Sequence, residues 1–561
     1  MPHERLGASY DLTREPWIPV QRGDGHEALL PLRDVFTRAD ELRRVVGDVS
    51  TVEFALLRLL LAVVHDAIDG PADVDEWQEL WENGLPVERI DAYLDEHRER
   101  FDLLHPESPF LQTPGLRTAR DEIGALDRIV ADVPNGARFF TMRANGVDRL
   151  TFAEAARWLI HAHAFDTSGI KTGAVGDRRV KNGKVYPQGV GWAGNLGGVL
   201  ASGTTLRETL LLNLIAFDTD NLSIDAENDR PAWRRPPPKA APMDEIELSR
   251  RPYGPRDLYT WPSRRVRLHA DEHGVYGVVL AYGDSLPIRN MHDHEPMTAW
   301  RRSPAQEKKL GWATVYLPRE HDPSRAAWRG LGALVTGEVE GGEQRGEEPK
   351  TVRPRVLDWV ARLSVEGALP LDFRVWARLY GAQYGTQQSV IDEIVEDAVQ
   401  LPVILLHERD RPLGQAAVGA VTDAEKAVTA LGWLAADLAR AAGDDPEPAT
   451  GAARDRGFGV LDGPFRQWLA SLRPGDDPQD RRADWQAQAR RILGEAGEDL
   501  CRMAGDAAWE GRVITIKAGQ TLWLNTSRAD LIFRTRLRDS LPGRTDDGPS
   551  NDDQQLQEVG S

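Results

Sequence analysis

Residues 161–213 read HAHAFDTSGIKTGAVGDRRVKNGKVYPQGVGWAGNLGGVLASGTTLRETLLLN and combine a basic cluster with a run of glycines. The cluster has one acidic member, Asp177, among five basic residues: Lys171, Arg178, Arg179, Lys181 and Lys184. The whole chain nevertheless carries a formal net charge of −19. A basic cluster within an acidic protein indicates an anionic partner that docks locally. We therefore predict that these side chains contact a DNA or RNA backbone.

The glycine run follows directly and is interrupted by Trp192 and Asn195; its members are Gly189, Gly191, Gly194, Gly197 and Gly198. Glycine lets the backbone turn sharply and approach a ligand where side chains would not fit. Two interpretations are open at this point. The run is either part of a surface loop with solvated lysines, or a loop that presses its backbone against nucleic acid.

The length and composition are those of an ordinary globular chain: 561 residues, of which 41% are hydrophobic and 28% charged. This length is enough for two or more domains. Its one cysteine, Cys501, excludes an internal disulfide and a cysteine-cluster zinc site. The longest apolar run, residues 54–68, contains charged residues and is too short to span a bilayer. Because no secretion signal opens the chain, we expect a cytoplasmic protein.

Two segments suggest enzyme chemistry, and both signals are weak. GVGWAG (residues 189–194) matches the dinucleotide-binding pattern GxGxxG, but it follows KNGKVYPQ rather than a buried strand. HDHE (residues 292–295) could bind a metal, although four consecutive residues cannot all point at one ion. No nucleophile elbow, Walker A motif or pair of catalytic carboxylates stands out. A binding protein is favoured, with a nicotinamide-dependent oxidoreductase or a metal-dependent hydrolase as the alternative.

Several patterns predict secondary structure. Three capping boxes, each a Ser or Thr followed three residues later by Glu, precede apolar runs and predict helices: Ser50 with Glu53, Thr151 with Glu154, and Thr205 with Glu208. His161 and His163 lie two apart on one of these helices, so they face different directions and are expected to pack rather than bind metal. Alternation over residues 264–282 predicts a β-hairpin.

The sequence pattern that predicts secondary structure changes near Asp372. Residues 374–385, RVWARLYGAQYG, predict a strand and turn. Helical spacing then recurs in residues 390–406, 422–442, 481–503 and 520–541, which indicates a C-terminal helical bundle. We predict an α+β protein with a large mixed α/β N-terminal domain over residues 1–371, a bundle over residues 372–541, and a disordered acidic tail over residues 542–561.

Several segments, taken in order, resemble the large-subunit (CasA) family of the type I-E CRISPR Cascade surveillance complex. They are YDLTREPWIPV, PLRDVF, ALLRLLLAVVH, FDLLHPESPFLQ, AFDTSGIKTGAVGD and the glycine run before LLLNL. The resemblance implies a C-terminal four-helix bundle and a non-catalytic subunit without a cofactor. Its implied partners are the other Cascade subunits, crRNA, double-stranded target DNA with its PAM, and a helicase–nuclease; no membrane is implied.

The resemblance also implies site residues. A glycine loop in the DNA minor groove falls on Gly191, Gly194, Asn195, Gly197 and Gly198. A glutamine wedge that opens the duplex below the PAM falls on Gln387, with Gln388 beside it. The loop that touches the crRNA 5′ handle falls on Phe140, Thr141 and Met142. A basic minor-groove residue falls on Arg301 or Arg302. A glycine backbone suits the narrow, acceptor-rich minor groove, and a glutamine offers both donors and acceptors to unpaired bases.

Overall fold

The computed structural model describes residues 9–133, 146–335, 350–515 and 521–544, and within them the protein is α+β as predicted. The helices are α1 (Leu32–Thr37), α2 (Ser50–Ile68), α3 (Val74–Asn83), α4 (Val87–Glu96), α5 (Phe152–Phe165), α6 (Leu206–Leu212), α7 (Glu245–Arg250), α8 (Pro255–Tyr259), α9 (Pro304–Leu310), α10 (Leu331–Val335), α11 (Arg355–Val365), α12 (Arg411–Ala442), α13 (Pro446–Ala470), α14 (Pro478–Met503), α15 (Asp506–Glu510) and α16 (Thr526–Ser540). No helix in these described ranges has the length and apolar character needed to cross a membrane.

The strands are β1 (Ile18–Arg22), β2 (Glu27–Leu30), β3 (Leu42–Val45), β4 (Lys171–Thr172), β5 (Lys184–Val185), β6 (Gly198–Ser202), β7 (Arg264–Asp271), β8 (Gly274–Tyr282), β9 (Trp300–Arg302), β10 (Tyr316–Pro318), β11 (Thr351–Val352), β12 (Arg374–Tyr384), β13 (Ile391–Pro402), β14 (Arg512–Thr515) and β15 (Thr521–Leu524). They form three small sheets, in the orders β2-β1-β3, β10-β9-β11 and β13-β12-β6. The remaining pairs are the hairpins β4–β5, β7–β8 and β14–β15. The hairpin predicted over residues 264–282 is confirmed as β7–β8.

The chain divides into two compact units. The first contains the described parts of residues 1–327 and 337–399, and the second those of residues 328–336 and 400–561. The sequence predicted the bundle from Asp372, but residues up to Val399 group with the first unit because β12 pairs with β6, from Trp376 opposite Ser202 to Tyr380 opposite Gly198. The tail prediction falls mostly on residues 545–561, which lie outside the described residues.

Helix α2 is the central helix of the first unit, and all of its residues except Ser50 are buried. Its apolar residues cover most of its circumference, so it can be surrounded on all sides. It packs against α4, α5, α8 and β12. The capping box predicted at Ser50 is wrong, because Val49 occupies the N-cap position and Glu53 is turned inward to accept a hydrogen bond from Tyr380 Oη (2.8 Å).

The other two capping boxes differ in outcome. The Thr151–Glu154 box is confirmed, since the Thr151 side chain accepts from the Glu154 amide and the Glu154 carboxylate accepts from the Thr151 amide. Thr205 caps α6, but the Glu208 carboxylate bonds the preceding Thr204 instead of closing a box with Thr205.

Residues 391–402 were predicted to be helical and are strand β13, so this prediction is wrong. Ile391, Ile394, Val395 and Val399 recur at spacings that a helix would also give. Their β-branched side chains fit a pleated surface, and the neighbouring strand β12 supplies a hydrogen-bonding edge. The outcome is a long hairpin whose tip lies at residues 385–390.

The second unit contains a four-helix bundle of α12, α13, α14 and α16, in which the other three helices all pack against α12. The ring of Phe465 stands edge-on to that of Trp485, with centroids 4.9 Å apart, within its core. Helix α13 was not predicted from the sequence; it contains four glycines and an internal proline. One of these glycines, Gly457, lies against Val428 and Leu431 of α12, where a larger side chain would separate the helices.

Candidate nucleic-acid interface

The predicted glycine loop is buried within the first unit. Gly191, Gly194, Gly197 and Gly198 are all buried, and Asn195 is half-buried. The chain makes a short 3₁₀ turn at Trp192–Asn195 and then enters strand β6. The side-chain Nδ2 of Asn195 donates to the carbonyl of Trp192 (3.2 Å), so this side chain stabilises the turn.

Neighbouring atoms of the same chain account for these glycines. A Cβ at Gly194 would lie 2.2 Å from Tyr384 Oη, and one at Gly197 would lie 2.2 Å from the carbonyl oxygen of Arg319. A Cβ at Gly191 would meet the backbone of Ala164 at 2.5 Å. The close approach that requires these glycines is therefore made to protein, and the run is not a surface loop. The predicted contact of Gly191, Gly194, Asn195, Gly197 and Gly198 with DNA stays a prediction.

The two segments that suggested enzyme chemistry, GVGWAG and HDHE, also have structural roles in the fold. GVGWAG leads into a strand, whereas a dinucleotide site needs this motif to open a helix. Glu295 of the HDHE segment is fully buried and accepts two hydrogen bonds from Arg58 (2.9 Å each) and one from Trp192 Nε1 (2.7 Å). Within the described ranges, no group of three or more His, Cys, Asp and Glu side chains is arranged to hold a metal.

Histidines 161 and 163 pack in the core, as predicted. His161 Nε2 lies 2.9 Å from Thr51 Oγ1, and His163 Nε2 lies 2.8 Å from the carbonyl oxygen of Leu111. Burial lowers the pKa of each imidazole to about 4, so both are neutral near pH 7.

The basic cluster divides into structural and exposed members. Lys171 is buried, and its Nζ lies 2.9 Å and 2.8 Å from the two carboxylate oxygens of Asp166. Desolvation lowers the pKa of Lys171, and the Asp166 charge opposes that shift. Arg179 is held by Asp177 (3.0 Å) and by the carbonyls of Tyr282 and Gly283. Neither Lys171 nor Arg179 is free to contact a nucleic-acid backbone.

Arg178, Lys181 and Lys184 are exposed on the loop between β4 and β5 and its base. The side chain of Tyr186, just beyond β5, is 61% exposed. Gly176 and Gly183 on this loop have φ values of +96° and +74°, which other residues rarely adopt. Exposed basic side chains can bind phosphates, and an exposed aromatic ring can stack on a base. We call residues 175–188 the basic loop.

Gln387 and Gln388 lie at the tip of the β12–β13 hairpin, with Gln387 exposed. Both have left-handed backbone conformations, with φ values of 58° and 54°. The Gln388 carbonyl accepts from the amide of Ser168 (2.7 Å), and Gly385 N–H donates to the carbonyl of Val390 (3.1 Å). Such backbone conformations at non-glycine residues cost free energy and concentrate at functional sites.

The hairpin tip and the basic loop lie side by side. A cavity of 570 Å³ is lined by Lys184 from the basic loop, by Ser389 and Ile391 from the hairpin, and by Arg128. Arg128 is exposed and donates to Thr172 Oγ1 (2.8 Å). Arg128 was not predicted as a site residue, because nothing in its local sequence shows that the fold carries it to this position.

The remaining predicted residues lie elsewhere. Arg301 is exposed on β9, and Arg302 Nε is paired with Glu307 (2.7 Å). Neither arginine lines the cavity beside the hairpin tip. The predicted handle-contacting residues Phe140, Thr141 and Met142 lie outside the described residues.

Sequence comparisons identify relatives along most of the chain. The family model for CRISPR-associated protein Cse1 matches residues 11–496. The CRISPR-associated protein CasA/Cse1 of Thermus thermophilus is 28% identical over 471 residues, which is 82% of each protein.

Solved structures agree with this match. Thermobifida fusca Cse1 is 64% identical, with a TM-score of 0.89 over 96% of this chain and 99% of that one. Cse1 from Acidimicrobium ferrooxidans is 29% identical, with a TM-score of 0.80 over 96% of this chain and 98% of that one. A chain of a CRISPR RNA-guided surveillance complex shares the fold at 20% identity, with a TM-score of 0.63 over 95% of this chain and 100% of that one.

Proposed function

Because this chain belongs to the CRISPR-associated Cse1 (CasA) family, the large subunits of type I-E Cascade, we propose that it recognises the PAM of double-stranded DNA and starts strand separation. The observation that carries the proposal is the exposed, left-handed Gln387 at a hairpin tip beside the basic loop. The basic loop, which would contact the duplex, and Gln387, which would open the strands, would then be adjacent.

The basic loop is the element that we assign to the DNA duplex. Its exposed cations, Arg178, Lys181 and Lys184, can neutralise phosphates. Its exposed glycines, Gly176 and Gly183, let the backbone enter a narrow minor groove and present amide donors to base acceptors. The buried glycines of residues 191–198 take a supporting role in this proposal, because they allow the turn to pack beneath the hairpin.

Gln387 is the residue that we assign to the opened base pair. An exposed side chain at a tight turn can insert between bases, and its amide can replace hydrogen bonds that a separated base loses. The left-handed backbone fixes the direction in which the side chain leaves the turn. The order of events would be duplex contact first and insertion second.

The proposal includes binding without catalysis. The guide RNA would be held through its 5′ handle, and the other Cascade subunits would surround this chain. The helicase–nuclease would cleave the target. These three roles rest on family membership alone. In the proposed role the purified chain does not cleave duplex or single-stranded DNA with magnesium or manganese, and cleavage that follows the chain through purification would contradict this.

The decisive experiment is permanganate footprinting of R-loop formation in the assembled complex. Gln387→Ala should slow opening on a closed duplex, because unstacking a base step costs a few kcal/mol. It should leave PAM-dependent docking nearly unchanged. A target with a pre-opened bubble beside the PAM should restore the rate.

The matched control is Gln383→Ala, which changes an exposed glutamine on the same hairpin away from its tip. This variant should open both targets at the parent rate. Equal defects in the two variants, or a Gln387→Ala defect that the bubble leaves unchanged, would show that Gln387 is not the strand-opening residue.

A further inference from the structure

A short segment, residues 165–169 with the sequence FDTSG, lies between the tip of the β12–β13 hairpin and the end of the basic loop. We call it the bridging segment. Its residues Thr167 and Gly169 line the same 570 Å³ cavity as Ser389 of the hairpin and Lys184 of the basic loop. The segment therefore connects the two elements that the proposed function assigns to DNA.

The bridging segment holds the hairpin on both sides of Gln387. On one side, Tyr384 Oη donates a hydrogen bond to the carbonyl of Phe165 (2.6 Å). On the other side, the Ser168 amide donates to the carbonyl of Gln388 (2.7 Å). Left-handed backbone conformations such as those of Gln387 and Gln388 persist where the surrounding structure fixes them. These two bonds supply such support from outside the turn, and they hold the base of the Gln387 side chain in one place.

The same segment also holds the end of the basic loop. The Ser168 hydroxyl accepts a hydrogen bond from the amide of Gly189 (3.0 Å), the residue directly after the loop. The carbonyl of Asp166 accepts from the Gly191 amide (2.8 Å). Ser168 is 4% exposed, and hydrogen bonds of buried polar groups are costly to leave unmade. One buried serine thus contacts both elements, the hairpin through its backbone and the loop end through its side chain.

A buried arginine reinforces this connection. Arg264 is 1% exposed, and its charge is balanced by the Asp166 carboxylate. Its Nη2 donates to three carbonyls: Asp166 (2.8 Å), Thr167 (3.0 Å) and Gly189 (3.0 Å). Hydrogen bonds from a charged donor are stronger than those between neutral groups. The bridging segment and the end of the basic loop are therefore held together firmly.

We propose that Ser168 is a positioning residue for strand opening: it fixes the place of Gln387 relative to the basic loop, so that a duplex docked on the loop presents its first base pair to the hairpin tip. This inference rests on the strand-opening role proposed for Gln387. Ser168 is buried, so it acts through Gln387 rather than on DNA. Small misplacements of a group that must enter one exact position cost large factors in rate.

Ser168→Ala removes the hydroxyl bond to Gly189 and keeps the amide bond to Gln388. In the assembled complex, permanganate footprinting should show strand opening slowed by about three- to tenfold, the loss expected for one hydrogen bond. Docking should keep the parent affinity, measured by fluorescence anisotropy on a duplex that has a correct PAM but no match to the guide and so cannot form an R-loop. A target with a pre-opened bubble beside the PAM should restore the rate.

The decisive comparison is a double-mutant cycle with Gln387→Ala. If Ser168 acts by placing the Gln387 side chain, Ser168→Ala should add almost nothing to the opening defect of Gln387→Ala, because no side chain is left to place. A serine that serves the fold alone would slow opening by the same factor in both backgrounds. Tyr384→Phe removes the bond to Phe165 and keeps the ring. It should behave as Ser168→Ala does, and it replaces that variant if Ser168→Ala does not fold.

The matched control is Ser285→Ala. The Ser285 hydroxyl donates to the carbonyl of Gln188 (2.9 Å) and so holds the same end of the basic loop, but among the described residues it makes no hydrogen bond to the hairpin. This variant should open DNA at the parent rate, and a defect equal to that of Ser168→Ala would overturn the inference.

Three further results would overturn it: a folded Ser168→Ala variant that opens at the parent rate, docking and opening that fall by the same factor, or a defect that persists in full beside Gln387→Ala. In each of these cases Gln387→Ala can still be defective, and the proposed function then stands. If Gln387→Ala itself opens closed duplex at the parent rate, the proposed function fails and the role of Ser168 fails with it. The two failures are therefore distinguishable.

Discussion

Gln387 occupies the left-handed region of backbone space, where a side chain crowds the following carbonyl. Its side chain lies at the exposed tip of the hairpin, where packing contributes little free energy to offset the cost of this backbone conformation. Strain of this kind persists when the surrounding turn fixes the conformation and the side chain has another use. The hydrogen bond from Gly385 to Val390 closes the turn around it.

Gln387→Gly should therefore separate stability from function. Glycine adopts the left-handed conformation without a Cβ clash, so we expect the free energy of unfolding to stay the same or rise by up to about 1 kcal/mol. DNA opening should fall as far as it does in Gln387→Ala, because the side chain is missing in both. Urea unfolding and R-loop kinetics measure the two effects. A clear loss of stability would show that the left-handed conformation is not strained.

Gly197 represents the opposite case, a glycine that the interior requires. An added Cβ would lie 2.2 Å from the Arg319 carbonyl, and backbone cannot move aside as a flexible side chain can. Gly197→Ala should lower the free energy of unfolding by about 1–3 kcal/mol, as expected for overpacking. Any loss of DNA binding should match the loss of folded protein in urea titration.

Gly381→Ala is the control for that measurement. The nearest atom to a Cβ at Gly381 is 3.7 Å away, which is ordinary contact, and the residue lies within strand β12. Alanine should be tolerated or slightly stabilising there. If Gly197→Ala is as stable as Gly381→Ala but loses PAM-dependent binding, the glycine run contacts DNA after all.

At the scale of elements, helix α5 carries His161, a buried histidine that gives the fold a pH dependence. Burial lowers its pKa from the usual 6.5 to about 4. The unfolded chain takes up a proton near pH 6.5 and the folded chain only near pH 4, so stability is complete above 6.5 and falls as pH decreases towards 4. At pH 5 the loss from this one group is about 2 kcal/mol.

His161→Gln should reduce the slope of stability against pH between about pH 6.5 and 4, as measured by urea unfolding. Asp229 acts in the opposite direction, because burial raises its pKa to about 6 and its contribution improves as pH falls. The comparison of variant with parent cancels that contribution. His273→Gln, at a side chain 74% exposed, should leave the slope unchanged. An unchanged slope in His161→Gln would mean that His161 is already protonated in the folded chain.

Local sequence patterns predicted helices and strands correctly where the pattern fitted only one type of secondary structure. The β7–β8 hairpin and the Thr151 cap of α5 follow from alternation and from a capping box. Strand β13 did not, because its spacing fits both a helix and a strand, and only the partner strand decides. Helix α13 was missed because its glycines and proline weaken helix propensity while contacts with α12 hold it in place.

The candidate site was predictable only in part, for a related reason. Gln387 was identified from family resemblance, and the structure adds its exposed position. Lys171 and Lys184 look equivalent in sequence, yet Asp166 holds one of them inside the protein. Arg128 joins the site through long-range packing alone. Burial and distant contacts are properties of the folded chain, and local composition does not encode them.

At the scale of the whole molecule, the proposed function requires an acidic chain to contact polyanionic DNA through a small positive area. The net charge of −19 disfavours general coating of nucleic acid. Two of the five cations in the basic cluster are already engaged within the protein, which leaves the exposed three for the proposed contact with DNA. This arrangement favours one docking geometry over many.

The last prediction concerns this positive area. Lys181→Gln with Lys184→Gln should weaken binding of the assembled complex to all duplexes alike, with or without a correct PAM. Each phosphate contact contributes about 0.9 to the slope of log affinity against log salt, so the slope should fall by about 1.8. Circular dichroism and urea unfolding should be unchanged, because both side chains are exposed.

The matched control is Lys308→Gln with Lys309→Gln, which removes the same charge from exposed positions on α9 that do not line the cavity beside the hairpin tip. The net charge of the two double variants is identical. A general effect of net charge would therefore weaken both equally, whereas contact at the basic loop weakens only the first. If the loss in the first variant is confined to targets with a correct PAM, the lysines read sequence rather than phosphate, and the division between loop backbone and lysine side chains is wrong.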